Sequence, residues 1–472
     1  MIPALSRRVL GWAPIVLVAL CMVGVGVNRA QGAWDNDLWW HLRLGSDFLA
    51  QGTIAPPHWS PFQNRSWVPT EPVPEVVAAL AERWAGLDGV MWLYATGCLV
   101  VVLALYVGNR AVGRPTAAMV GTLLATLGCS LSLTPRPQLV SFVLLALVLR
   151  AWNRTADDLR PRWYLIPLVY GWSLCHGFWF LGVGYGVLSV AGLVLDRRVR
   201  LAQAARLLLV PALAGGSVLL NPVGIGVFEA PFQVNSIRQF GSEWAHTTPT
   251  MLAPVVVLLV QTVVLVLWTR QRELWSWRRV LLLASSVFWL WYAWRTVALA
   301  GVVVAPLFTE TLERVVASSD AGSPQPQEPS VSAESIFVGA SAALCALALL
   351  VLVPILYQPP PTDSPVDRAL DRVPAGSVVF NNFDIGGYLV WRHPDLHPVI
   401  DGLITPYTPQ YVADDFHALD AAPGWRRFFD ASGARVALLL QRSRLTRLLE
   451  DDGWRPTARY HDYVVLQAPR RE

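Results

Sequence analysis

The chain contains no lysine: all 37 basic residues among its 472 are arginine. That absence removes Schiff-base chemistry, a Walker A phosphate loop and any lysine general base from consideration. It also fits the codon usage of a GC-rich bacterial genome. Cysteine is scarce as well. The five present, Cys21, Cys98, Cys129, Cys175 and Cys345, lie in or at the ends of apolar runs and show neither disulfide nor metal spacing. They read as small apolar residues. Charged residues make up only 15% of the chain, and no internal repeat is visible. The formal charge of +4 sits in short loops, so it carries topology information and does not form a nucleic-acid surface.

What the sequence has in excess is apolar length. Runs near 10–28, 88–107, 115–133, 138–152, 163–178, 180–195, 203–220, 251–268, 280–294, 297–309 and 336–357 are of the order needed to cross a bilayer core. The prediction is an α-helical polytopic membrane protein with about eleven spans. Arg7 and Arg8 precede the first run and place the N-terminus in the cytoplasm. That run reads as an uncleaved anchor, although "AQGA" at its end resembles a signal cleavage site. From this start the loops "GNRAVGRP", "RAWNRTADDLRPR", "DRRVR" and "WTRQRELWSWRR" fall inside, and all are rich in arginine. A Ser/Pro/Gln-rich segment over 314–335 reads as a flexible cytoplasmic linker. The outer side receives 29–87, 134–137, the 178–180 turn and 221–250.

Beyond the last run, "YQPPPTDSP" leads into a soluble tail. There β-like runs ("SVVF", "HPVIDG", "ARVALLL", "YVVLQA") alternate with helical stretches ("PQYVADDFHAL", "RSRLTRLLEDD"). The pattern predicts a small α/β domain with a mostly parallel sheet, extracytoplasmic by parity. The expected division is therefore a transmembrane domain over 1–357 and a soluble domain over 358–472.

All eight histidines fall on the predicted outer side, and so do the polar residues that interrupt the apolar runs. These are Arg136 in "TPRPQ", His176 in "SLCHGFWF", Asn221 in "LLNPVG" and Arg295 in "WYAWRTVAL". Charged groups beside hydrocarbon are costly and usually line a cavity or carry a function. The plainer alternative is that both arginines snorkel to lipid phosphates.

The first outer loop opens with "WDNDLWWHLRLG", residues 34–45. Asp37 reads as the N-cap of a helical run that ends at Gly52. Asp35 stands two residues earlier on a segment expected to be extended, so the two carboxylates can face the same way. His41 lies one helical turn beyond Asp37, and Trp39 and Trp40 read as interfacial anchors. A carboxylate pair with a histidine beside a bilayer suits general-base work on an acceptor hydroxyl, or binding of a divalent metal. Glu71 and Glu75 are further outer carboxylates at helical spacing, which a solvated face would also explain. In the tail, Asn381, Asn382, Asp384, Asp401 and Tyr407 fall near strand ends, where α/β sheets bind ligands. Gly386 and Gly387 read as a tight turn, since no phosphate-cradling glycine pattern surrounds them.

These pieces resemble the GT-C superfamily of polytopic glycosyltransferases, and within it a group of bacterial membrane proteins. The resemblance rests on the acidic opening with "WWHL", the "RPQ" entry at 136–138, the "HG" turn at 176–177, "NPVG" at 221–224, "EW" at 243–244 and "GGYLVW…DG" over 386–402. The chain departs from that pattern at His58, where relatives carry an acid, and at Thr70-Glu71-Pro72, which replaces a His-Glu-Trp element.

The resemblance implies an inverting glycosyltransferase of the bacterial cytoplasmic (inner) membrane. It would take a polyprenyl-phosphate-type sugar donor among membrane lipids and an extracytoplasmic glycan, lipid or protein acceptor. The catalytic acid of the family's first outer loop falls on Asp37, with Asp35 beside it, and a Mg2+ or Mn2+ ion would take the same two side chains. Arg295 and Arg136 would bind the donor phosphate, since arginine forks suit phosphate geometry. His41, Glu71, His176, Asn221 and Glu243 would support the acceptor side, and the tail would recognise acceptor or act as a lid. Two other readings stand beside this one. A lipid or glycolipid transporter would show inverted repeats and midplane charges. A non-catalytic scaffold with a partner-binding tail would tolerate loss of Asp35 and Asp37.

Overall fold

The structure is a computed structural model that describes residues 4–32, 35–319 and 328–469. Ala33, Trp34 and residues 320–327 of the expected linker lie outside the described residues. Each apolar run contains a helix. In chain order they begin with α1 (Ala4–Ala30), a loop helix α2 (Asp37–Gln51), α3 (Pro72–Asn109), α4 (Pro115–Cys129), α5 (Gln138–Asp158), α6 (Leu165–Ser173) and α7 (Phe180–Leu195). They continue with α8 (Leu201–Ser217), α9 (Gly226–Ile237), α10 (Leu252–Arg270), α11 (Trp277–Tyr292), α12 (Val297–Ser319) and α13 (Val331–Leu356).

Among the described residues nine helical segments are long and apolar enough to cross a membrane, which makes this a multi-pass membrane protein. The two expected runs outside that set are the short helices α6 and α11, of 9 and 16 residues. Helix α3 joins two helices across a break at Ala85 and Gly86, where Gly86 takes φ +62. A residue with a Cβ rarely adopts that conformation, so glycine sits where the loop helix turns into the span.

The chain divides into two compact units. One comprises Met1–Ala33, Asp88–Val227 and Ser242–Gln358, and holds most of the long helices. Its core is built where α10, α11 and α12 meet, around Val257, Val264, Leu290, Val297 and Val304. Small residues bring the helices close: a Cβ on Gly128 of α4 would stand 3.6 Å from the Gly301 Cα on α12.

The other unit comprises Trp34–Leu87, Phe228–Gly241 and Pro359–Glu472, so the tail folds together with the loop between α1 and the apolar part of α3. Its remaining elements are α14 (Pro365–Leu370), β1 (Val378–Asn381), α15 (Gly386–Arg392), β2 (His397–Pro398), α16 (Pro409–Leu419) and α17 (Trp425–Ala431), followed by β3 (Val436–Leu440), α18 (Arg444–Asp451), β4 (Arg455–Tyr460) and β5 (Tyr463–Gln467). The sheet order is β2-β1-β3-β5-β4. β1 pairs in parallel with β2 and β3, whereas β5 pairs antiparallel with β3 and β4. The sheet is thus evenly mixed, and the expected mostly parallel sheet is corrected by the β4–β5 hairpin. Alternation along β3 sends Ala437 and Leu439 to one helix-covered face, and Val436 and Leu438 to the other.

Helix α2 packs on α15 through Trp40, Leu44, Phe48 and Val390. Trp39 meets Tyr388 edge-on at 5.3 Å and Trp391 at 4.7 Å. Trp39 and Trp40, expected as membrane-interface anchors, are instead buried in this contact. Gly386 and Gly387 open α15 and serve close packing and not a tight turn, Gly386 against the 400–401 segment and Gly387 against the start of α2. A Cβ on Gly386 would stand 2.3 Å from the Ile400 carbonyl oxygen, and one on Gly387 would stand 3.0 Å from that of Asn36.

Candidate functional site

In the first unit, three turns bring together two cations and one anion. Arg136 lies between Pro135 and Pro137 just before α5, Arg295 lies in the one-turn helix Trp294–Thr296 that leads into α12, and Glu243 lies in the turn Ser242–Trp244. Arg136 Nη1 donates to Glu243 Oε2 at 2.6 Å, and Arg295 Nη1 donates to the other carboxylate oxygen. The Arg295 guanidinium stands 5.4 Å from the Trp244 ring centre, in cation–π range. The Trp294 N–H donates to the Ala245 carbonyl at 3.1 Å and ties the two turns together.

Burial works to raise the Glu243 pKa, but Arg295 and Arg136 outweigh it and hold the carboxyl below its ordinary value. Glu243 is therefore an anion at neutral pH. His176 is buried, and its Nδ1 accepts the Phe178 N–H at 3.2 Å, which leaves the ring proton on Nε2. Burial, and then the fields of Arg295 and Arg136, keep the ring well below the ordinary imidazole pKa, hence neutral. Arg136 and Arg295 thus set two positive charges against the one negative charge of Glu243. Asn221 acts locally, on the turn that follows α8. Its amide donates to the Ser173 carbonyl at 3.0 Å and its oxygen accepts the Val223 N–H at 3.1 Å.

In the second unit the helix α2 begins at Asp37 and ends on Gly52, which takes φ +68. Capping falls on Asp35, whose Oδ1 accepts the Asp37 N–H at 3.1 Å. Asn36 between them is helical (φ −63, ψ −26), so the segment is a turn and the expected extended pair is corrected. Asp35 is buried, and Asp37 opens the first helical turn in a partly exposed position. His41 faces α3, where its Nδ1 lies 3.0 Å from Glu75 Oε1 and its Nε2 lies 3.7 Å from Glu71 Oε2. Glu75, readable from the sequence as solvated, is 2% exposed. The helices can approach because residue 45 is glycine: a Cβ there would stand 2.0 Å from the Glu75 carbonyl oxygen.

Among the described residues, the side chains that could hold a metal ion together are His41, Glu71 and Glu75, with ligand atoms within 4.8 Å of one another. Asp35 and Asp37 are not in that group. One nitrogen and two carboxylates form a donor set that suits a divalent cation. Glu75 Oε2 is buried with no hydrogen-bond partner, which leaves a lone pair for an ion. The residues present therefore fit a metal.

Of the tail residues singled out from the sequence, Asn381, Asn382 and Asp401 hydrogen-bond within the fold. Asn382 Oδ1 accepts the Leu440 N–H at 2.8 Å, and Asn381 bridges the Ile400 carbonyl and the Val399 N–H. Asp401 is fully buried and accepts from Gln63 at 2.8 Å and from the Leu403 N–H at 3.0 Å. Burial pushes its carboxyl up to about 6 against those hydrogen bonds. Tyr407 is fully buried and stacks on Tyr411 at 5.2 Å, while Asp384 is exposed.

Asp415 on α16, which the sequence did not single out, is fully buried, and neither carboxylate oxygen has a hydrogen-bond partner. Burial pushes it up to about 8 from an ordinary 3.8. The folded form thus holds a proton that the unfolded chain releases, so stability falls as pH rises across that interval. Asp415→Asn is expected to match wild type near pH 4 and to exceed it at pH 8 by on the order of a few kcal/mol. Thermal melting of the full-length protein in detergent at both pH values checks this. Parallel profiles for the two proteins would contradict it.

No protein-family model and no curated protein sequence matches the chain. Solved structures do. The oligosaccharyltransferase of Archaeoglobus fulgidus, tethered to an acceptor peptide containing an NVT sequon, superposes with a TM-score of 0.53 at 12% identity, over 90% of this chain and 69% of that one. Its apo form gives 0.52 at 14% identity, over 91% and 69%. A weaker similarity, TM-score 0.46 at 16% identity, is to ArnT from Cupriavidus metallidurans bound to undecaprenyl phosphate, over 96% and 97%. The oligosaccharyltransferase likeness is one of fold. The expected architecture is therefore the observed one: this chain shares the GT-C fold of that oligosaccharyltransferase, with long apolar helices and a small C-terminal sheet domain.

Proposed function

We propose that the protein is a glycosyltransferase of the bacterial cytoplasmic membrane that moves a sugar from a polyprenyl-phosphate donor to an acceptor hydroxyl on the extracytoplasmic face. The observation that carries this reading is the pair of arginines, Arg136 and Arg295, brought from separate turns onto a single carboxylate. That is a place built for a small oxyanion with two oxygens to offer. The fold supports the same reading, as do the arginine-rich loops, which favour an outer position for these turns.

In the reaction, Asp37 takes the proton of the acceptor hydroxyl, and the resulting oxygen attacks the anomeric carbon of the sugar. The bond from that carbon to the phosphate oxygen breaks, its electron pair stays on the oxygen, and polyprenyl phosphate leaves with one more negative charge. Arg136 and Arg295 stabilise that charge as it develops. Attack opposite the leaving group inverts the anomeric centre. His41, Glu71 and Glu75 would hold a divalent cation such as Mg2+ or Mn2+, which supplies Lewis-acid and electrostatic stabilisation when bound. The tail, outside the membrane with the N-terminus inside, would meet a glycan, lipid or protein acceptor.

The test is product analysis with purified protein in vesicles and a panel of polyprenyl-phosphate sugars. One equivalent of polyprenyl phosphate per sugar transferred, with inverted anomeric configuration, supports the proposal. Movement of intact donor across the vesicle without cleavage would replace it with a transporter.

A further inference from the structure

We propose that Glu243 is an exchangeable counter-anion: it occupies the arginine pair at rest, gives way to the donor phosphate, and returns to expel polyprenyl phosphate. This rests on reading Arg136 and Arg295 as the donor-phosphate site. It moves Glu243 from the acceptor side, where the resemblance places it, to the donor side.

Each oxygen of the Glu243 carboxylate is taken by a different guanidinium. A phosphate offers two oxygens in the same bridging fashion, and guanidinium forks accept carboxylate and phosphate alike. The two anions therefore compete for the same donors. Arg295 also carries a buried Nε–H with no hydrogen-bond partner. Glu243 leaves that donor unused, and a phosphate has a further oxygen to give it.

Charge favours the same exchange. At rest both arginines share the Glu243 carboxylate, and His176 beside them is neutral. A phosphodiester donor brings one negative charge, and the leaving polyprenyl phosphate carries up to two. Were Glu243 to stay, three negative charges would crowd two guanidiniums as the bond breaks, and like charges at such range repel strongly. Withdrawal of Glu243 leaves two positive charges for a dianion. Its return then restores the resting pair and weakens the hold on the product.

Exposure and backbone constraint differ in the same direction. Arg136 is fixed between two prolines, and Arg295 is backed by the Trp244 ring at the entrance to α12. Both arginine side chains are 17% exposed, whereas that of Glu243 is 34% exposed on a three-residue turn. The acid is the member with room to move.

The experiment titrates full-length protein in nanodiscs with a short-chain polyprenyl phosphate, with the corresponding free alcohol and inorganic phosphate as separate arms. Glu243→Gln is expected to bind the lipid phosphate about tenfold more tightly than wild type, and Arg295→Gln about tenfold more weakly. The free alcohol should bind all three proteins equally, and inorganic phosphate should follow the same order more weakly. In turnover, Glu243→Gln should lower KM and kcat together, because product release slows. Glu243→Asp, which keeps the charge but reaches less far, should bind the lipid phosphate between wild type and Glu243→Gln, and serves if the glutamine variant does not fold. Equal or weaker binding by the Glu243 variants would make this residue a strut for the arginines and overturn the exchange, while leaving the donor site intact. An affinity that ignores Arg295 would remove the donor site itself, and the exchange with it.

Discussion

Arg295→Gln is expected to cut sugar transfer by about a hundred- to a thousandfold, the scale lost when one preorganised donor to a developing oxyanion is removed. Two features put Arg295 ahead of Arg136. It shares the Glu243 carboxylate with Arg136 yet keeps a buried Nε–H in reserve, and the Trp244 ring fixes its plane. Arg295→Lys should recover little, since an ammonium is a point charge and cannot reproduce the fork. The loss should fall on kcat and kcat/KM together if the guanidinium acts mainly on the leaving group. Initial rates at saturating and limiting donor separate this from a pure binding defect. A variant with raised KM and unchanged kcat would assign Arg295 to docking alone.

Asp37→Asn is the second large effect. Removal of a general base costs about a hundred- to ten-thousandfold, and asparagine keeps the shape of the first turn of α2 while losing the base. Asp35 offers the internal control. Its carboxylate accepts the Asp37 N–H, a bond that an asparagine side-chain oxygen can also accept, so Asp35→Asn should retain most activity. Asp35→Ala should lower stability by about 1 kcal/mol, the ordinary cost of a lost cap. Transfer rates and melting temperatures of the three variants sort base from cap. Equal loss of activity in Asp35→Asn and Asp37→Asn would mean the two acids act as a pair.

The fold is legible in the sequence where the chain is locally consistent. The helix from Asp37 with its stop at Gly52 follows from a capped apolar run, and α16 coincides with "PQYVADDFHAL". Strand β4 is hidden because "RPTARY" is polar and exposed, an edge strand without the alternation that marks a half-buried one. The tryptophans after Asp37 mislead for a related reason. Trp39 and Trp40 suit a bilayer interface as well as a protein core, and only the tertiary fold brings α15 against them.

The candidate site is legible as residues but not as groupings. Arg136 and Arg295 stand out as cations beside apolar runs, yet nothing local says that Glu243 joins them. Likewise His41 looks like a neighbour of Asp37 one turn away, whereas its contacts are Glu71 and Glu75 on α3 and just before it. Asn381, Asn382 and Asp401 are legible as polar residues at strand ends, but their hydrogen bonds to backbone groups and to Gln63 are not.

The most direct test of the central claim is transfer of radiolabelled sugar from polyprenyl-phosphate donors by wild type, Asp37→Asn and Arg295→Gln in vesicles. Label should appear in an acceptor with wild type, with near-complete loss in both variants while their melting temperatures stay close to wild type. Absence of transfer from every donor by well-folded wild type would contradict the claim, as would undiminished transfer by both variants.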